Sequence, residues 1–364
     1  MMPGPMGPEA RAEAARLSAI FEGLGAQPVD TSILQPADVL LDLYGEDIRA
    51  RAYVTADPLR GEMMLRPDFT VPVVRAHMDE GGDPARYSYA GEVFRRQETD
   101  PARPIEFLQV GFEIFGGEPA QADAEVFATI SGALEGLELR PATGDIGILM
   151  AAVRGLKTSE ARKGALLRHV WRPRRFRALL DRYGARTPLP AHKKALLAAA
   201  DPFEGAGPAL GLRGRREVEA RIATLRAEAD TRPLSEEEMA LVDMILDLRE
   251  TAPNVLSALR DIAVDMPAIG DAVTGLTRRL DAMSARGIDV DALPFEGSFG
   301  RTTLEYYDGF VFGFQSPTRA DLPPVATGGR YDALTRHLGK GRAVPAVGGV
   351  IRPELAVQIR EGRA

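Results

Sequence analysis

Residues 105–115, IEFLQVGFEIF, alternate with the two-residue period of a β-strand, and this limits the possible folds more than any other feature of the chain. Leu108, Val110, Phe112 and Ile114 share one face, which helices must cover. The other face carries Ile105, Phe107, Gln109, Gly111, Glu113 and Phe115. A glycine inside a strand often marks close approach by a ligand or another backbone. Two readings stay open: a solvated face with two polar residues, or a pocket floor where Gln109 and Glu113 take a cationic amino group. Residues 86–96 read as the antiparallel partner, with Tyr87, Tyr89, Val93 and Arg95 in phase. An arginine in register with aromatics is awkward to bury unless it meets an anion. The polar stretch 97–104 reads as a mobile loop rather than a tight turn.

A second alternating segment, LEYYDGFVFGF at 304–314, places Glu305, Tyr307, Gly309, Val311 and Gly313 on one face. Leu304, Tyr306, Phe310, Phe312 and Phe314 take the other. The glycines beside Tyr307 make room either for a ligand or for tight packing. Helical periodicity appears at 8–24 through Ala14, Leu17, Ile20, Phe21 and Leu24, with Gly25 as the stop. It returns at 121–137 through Val126, Ile130, Ala133, Leu134 and Leu137, with Asp123 and Glu125 in a first turn favoured by the helix dipole. From about 148 to 286 the chain is rich in Ala, Leu, Arg and Glu and reads as a helical insertion. Within it, Ser235 and Glu238 form a capping box ahead of Met239, Val242 and Leu246. Strand character resumes after Gly287, and the last segment combines a strand with a closing helix. This order predicts an α+β fold with a mostly antiparallel sheet flanked by helices. The 1–364 stretch is expected to form one domain that includes the insertion.

The bulk properties exclude several classes. Among 364 residues, 45% are hydrophobic and 27% charged, as in ordinary globular proteins. No apolar run reaches the length of a membrane span, and the Pro/Gly-rich start does not read as a secretory signal. With no cysteine, disulfides and thiolate chemistry are out, and a cytoplasmic setting is expected. His77, His169, His192 and His337 lack ligand spacing, so no metal site is expected. The net charge is −7, and no basic face stands out along the chain, which argues against nucleic acid as a partner.

Five collinear segments carry a resemblance. LRPDFTVPVVRA at 65–76 is similar to the LRPEGT segment of histidyl-tRNA synthetases. RYSYAGEVFRRQ and RPIEFLQVGFEIFG resemble the two strands of the class II motif 2. LEYYDGFVFGF resembles the histidine-binding segment, GGRYDALTRHLG the GGRYDGL segment, and PAVGGVIRPEL stands in the place of motif 3. The resemblance runs from about residue 8 to the C-terminus and is loose in the helical middle. It implies a class II synthetase core in which Asp68, Thr70, Gln109, Glu113 and Tyr307, joined by Tyr331, bind histidine. Arg95 matches the motif 2 arginine, which implies contact with the ATP phosphate and the amino-acid carboxylate.

The departures are selective. Gln97 replaces the motif 2 glutamate, Thr302 stands at the adenylation arginine, and Leu355 at the motif 3 arginine. Losing cations aimed at a transferring phosphate costs a few kcal/mol each. No anticodon-binding domain is expected after the motif 3 segment. This combination resembles the regulatory subunits of ATP phosphoribosyltransferase. That resemblance implies no catalytic residues, no cofactor and no tRNA. It implies a homodimer through the class II core and a hetero-octamer with the short catalytic subunit, in which histidine is the feedback effector of histidine biosynthesis. An alternative is a truncated ligase that adenylates an amino acid, with Arg301 and Arg352 replacing the lost cations.

Overall fold

The computed structural model describes residues 7–44, 51–97, 103–207, 211, 214–301 and 306–362. Helix α1 (Pro8–Gly23) starts on a proline, and Gly25 at φ +83° ends it. Leu17 and Phe21 are fully buried, whereas Leu24 is half exposed. A short strand β1 (Gln27–Pro28) follows. Strands β2 (Leu34–Pro36), β3 (Val54–Asp57) and β4 (Gly61–Leu65), with α2 (Ala37–Tyr44) between the first two, form a small antiparallel sheet.

After α3 (Thr70–Glu80) comes the long hairpin of β5 (Ala85–Phe94) and β6 (Glu106–Phe115), paired along their whole lengths. Next are α4 (Pro119–Ala133), β7 (Arg140–Asp145) and α5 (Ile146–Gly155). The helical region continues with α6 (Glu160–Arg168), α7 (Pro173–Tyr183), α8 (Ala191–Ala198), α9 (Arg215–Asp230) and α10 (Glu236–Asp247). A three-residue strand β8 (Arg249–Thr251) precedes α11 (Ala252–Asp265) and α12 (Gly270–Ala285). The chain then builds β9 (Pro294–Glu296), β10 (Phe310–Gln315), β11 (Ala326–Arg330), α13 (Asp332–Leu338), β12 (Ala346–Ile351) and α14 (Pro353–Arg360).

The large sheet has the order β1-β5-β6-β12-β11-β10-β7-β9-β8. Its central neighbours are antiparallel, and only β1 on β5 and β9 on β7 run parallel. This is the α+β, mostly antiparallel architecture that the pattern of elements predicted. Helices α1, α4 and α14 cover one face of the sheet. Phe112 of β6 meets Phe21 with ring centroids 5.4 Å apart, and Phe127 of α4 lies against Phe310, Phe312 and Phe314. The opposite face of the central strands stays available for a site. No described helix is long and apolar enough to cross a membrane.

Two local expectations change. Strand β10 begins at Phe310, so Tyr306 and Tyr307 precede it and do not follow its alternation. Leu304 and Glu305 lie outside the described residues. Asp123 does not serve the dipole of α4. It is 1% exposed and pairs with Arg279 at 2.8 Å and Arg330 at 2.7 Å. Arg279 continues to Asp145 and Arg330 to Asp332, so a buried alternating chain of charges links α4, α12, β7 and β11. Burial opposes the guanidinium charges, but these carboxylates hold both arginines above their ordinary range. The loop 97–104 lies mostly outside the described residues.

Candidate functional site

On the open face of the sheet, Asp68, Thr70, Arg95, Gln109, Glu113, Tyr307 and Tyr331 line a single pocket. Two of these come from β6. Gln109 and Glu113 are each 1% exposed, so the face that alternation left ambiguous is a covered floor.

Glu113 is the centre of one end. Thr70 Oγ1 donates to its Oε1 at 3.1 Å and Tyr89 Oη at 2.9 Å, while Tyr331 Oη donates to Oε2. Among the described residues no cation pairs with it. Burial pushes its pKa up to about 7; the three hydroxyls pull the other way, and the nearby Asp68 charge adds to the rise. A buried carboxylate held only by neutral donors is a ready partner for a cation.

The surrounding geometry explains why the hydroxyls converge. Tyr89 lies across the hairpin from Gly111, where a Cβ would stand 2.1 Å from its ring. Gly111 therefore makes room for Tyr89, not for a ligand. Tyr89 stacks on Phe69 at 4.5 Å, and Arg66 covers Phe69 at 4.0 Å while its Nε donates to the Glu92 carbonyl. The turn before α3 is locked in this way, which places Asp68 and Thr70. Asp68 Oδ1 accepts from the Val71 amide at 3.3 Å. Gly348 of β12 pairs with Glu113, and a Cβ there would fall 1.4 Å from Oε2. Gly329 opens space for the Tyr307 ring, whereas Gly309 and Gly313 face Arg330 and Phe299.

The other end is cationic. Arg95 Nε donates to the Pro67 carbonyl at 2.8 Å, and Arg352 donates to the Pro324 carbonyl. Their guanidiniums lie 5.4 and 5.7 Å from the Phe107 ring centroid. Burial, and then the Arg95 charge beside it, bring Arg352 down to about 10. Phe107 and Glu113 are six residues apart on one strand face, about 20 Å along β6. Gln109 lies between them, and its buried Oε1 has no hydrogen-bond partner among the described residues. A pocket with acids toward one end, guanidiniums toward the other and an open amide between them suits a zwitterion.

Four further lining residues, Tyr306, Thr327, Gly349 and Val350, were not legible as such in the sequence. Tyr306 precedes the strand on whose apolar face the alternation puts it. Tyr89, in phase with Arg95 along its strand, also touches Glu113.

The departures also have positions. Leu355 packs against the core, and Gln97 donates to the Pro104 carbonyl at 3.1 Å. Thr302 lies outside the described residues. Arg301 is withdrawn from the pocket: its Nε donates to the Val170 carbonyl at 2.7 Å and it covers Phe176 at 4.8 Å. Of the two candidate replacement cations, only Arg352 lines the pocket.

Comparison with known proteins agrees with this architecture. The family model described as Histidyl-tRNA synthetase matches residues 8–231 and 215–354. A protein of Allorhizobium ampelinum named ATP phosphoribosyltransferase regulatory subunit is 32% identical over 352 residues, covering 90% of this chain and 92% of its own. A Mesorhizobium japonicum protein of the same name is 32% identical, covering 92% and 94%. Among solved structures, a Bacillus halodurans protein described as an ATP phosphoribosyltransferase regulatory subunit/histidyl-tRNA synthetase superposes with a TM-score of 0.70 at 20% identity, over 98% of this chain and 81% of that one. Histidyl-tRNA synthetase from Nostoc gives 0.65 at 17% identity, over 99% and 74%. At these identities the structures speak for the fold, and the sequence relatives for the family. The chain belongs to the ATP phosphoribosyltransferase regulatory subunits, built on the class II core of histidyl-tRNA synthetase.

Proposed function

We propose that this regulatory subunit binds L-histidine in the pocket on β6 and passes its occupancy to a short catalytic subunit of ATP phosphoribosyltransferase. Asp68, Thr70, Gln109, Glu113, Tyr307 and Tyr331 hold the amino group and imidazole, and Arg95 the carboxylate. The observation that carries the reading is the pair of 1%-exposed polar residues on the pocket floor: Glu113, which no cation pairs with among the described residues, and Gln109, whose Oε1 has no hydrogen-bond partner among them. Histidine supplies the missing positive charge, and its binding free energy differs between assembly states, which is what feedback inhibition requires. The complex is a cytoplasmic hetero-octamer in which this chain dimerises through its core, activates the catalytic subunit and makes it histidine-sensitive. No tRNA, cofactor or metal takes part.

The test is reconstitution. Mixing the chain with the short catalytic subunit should raise phosphoribosyltransferase activity and make it histidine-sensitive; Glu113→Ala should remove the sensitivity and leave activation. Inhibition that survives Glu113→Ala would contradict the pocket assignment. Arg352 beside Arg95 keeps the ligase reading in play. Amino-acid-dependent pyrophosphate exchange by the purified chain would favour it over the regulatory one.

A further inference from the structure

The chain carries a net charge of −7, yet residues 154–194 contain thirteen lysines and arginines against two acids, Glu160 and Asp181. The acidic average of the whole chain conceals this basic stretch. The cations along α7 and those of the turn before it are handled differently. Toward the C-terminal end of α7, Arg177 pairs with Asp243 at 2.5 Å, Arg182 with Glu228, and Arg186 with Glu236 at 2.5 Å. At the turn between α6 and α7, Arg168, Arg174 and Arg175 are exposed and form no ion pair among the described residues. Arg174 and Arg175 occupy the first turn of α7, which holds no acid and has no side-chain cap. Cations there oppose the helix dipole. Behind them, Arg301 is 5% exposed, and its Nη2 lacks a hydrogen-bond partner among the described residues. Arg168, Arg174 and Arg175 thus bring to the turn positive charge that no acid among the described residues pairs with.

The turn is also braced on the pocket. Trp171 Nε1 donates to the Tyr307 carbonyl at 3.0 Å, and Arg301 reaches the Val170 carbonyl. These bonds absorb the aromatic at the tip, and Phe176 is buried. Among the described residues of the turn, Trp171 is half-buried and tied by its Nε1 and Phe176 is buried, which leaves little aromatic surface for bases and favours a surface of carboxylates over a nucleic-acid strand. Arginine forks match carboxylates in pairs.

We propose that the arginine-bearing turn between α6 and α7 is the docking surface for an acidic face of the catalytic subunit. This rests on the regulatory reading above. The experiment is titration of the full chain with the short catalytic subunit at about 50 and about 200 mM salt. Wild type is expected to bind, more weakly at the higher salt. The variant Arg168→Ser/Arg174→Ser/Arg175→Ser should bind at least about tenfold more weakly, with a flatter salt dependence and a thermal midpoint no lower than that of wild type. The triple Arg→Lys variant, which keeps charge, should keep the salt dependence. Wild-type binding with an unaffected serine variant overturns the docking surface alone. A wild-type chain that does not bind overturns the regulatory reading and the surface with it. A serine variant that loses affinity for tRNA but keeps the catalytic subunit overturns the proposal in favour of nucleic acid.

Discussion

Glu113 and Asp123 are ten residues apart, both 1% exposed, and satisfied in opposite ways. Asp123 meets two arginines that are themselves shared with Asp145 and Asp332. Every charge in that chain has a counter-charge, and its function is to tie helices to the sheet. Glu113 meets three hydroxyls and no cation among the described residues. Hydroxyls satisfy lone pairs without neutralising charge, so the carboxylate remains costly to ionise. The lesson is that burial alone does not identify a site; what distinguishes the two is the kind of partner. A buried acid with arginines is finished, and one with hydroxyls is waiting for a cation.

The largest expected effect comes from breaking the finished member. Asp123→Ala leaves Arg279 and Arg330 buried with one carboxylate each and should cost about 3–5 kcal/mol, read by denaturant unfolding. A loss below about 1 kcal/mol would mean that the network contributes little. The Glu113 side predicts the reverse. Its folded pKa of about 7 exceeds the ordinary carboxyl value. The protonated form is therefore favoured by folding: its contribution is full below about pH 4.5 and is lost as pH rises through about 7. From this group the unliganded protein should lose up to about 3 kcal/mol between pH 5 and 8. Glu113→Gln should remove that slope without unfolding the chain. Equal slopes in both proteins would show that Glu113 is not the titrating group.

Smaller changes sharpen the same contrast. Gly348→Ala pushes a methyl into the Glu113 carboxylate and should cost about 1–3 kcal/mol together with histidine binding. The same change accepted without loss of binding would mean that the carboxylate has another position. Ser235→Ala, in the capping box of α10, should cost about 1 kcal/mol and leave histidine binding untouched.

Much of this was legible in the sequence where a short period governs the structure. Alternation placed Gln109 and Glu113 on one face of β6, and the capping box marked the start of α10. Alternation failed at Tyr306 and Tyr307, because the chain bends before β10 and carries both rings into the pocket. It also misjudged Gly111, since nothing local says that Tyr89 across the hairpin will fill the space. Asp123 looked like a first-turn residue because its partners lie 156 and 207 positions away. The arginine-rich turn was hidden for another reason: a net charge averages over acidic and basic segments.

The most direct test of the central claim is thermal unfolding of the isolated chain with and without L-histidine, for wild type and Glu113→Gln. A ligand that binds only the native state must raise the midpoint. The account predicts a concentration-dependent rise for wild type at pH 8, lost in Glu113→Gln. No rise in wild type, or the same rise in both proteins, would contradict it.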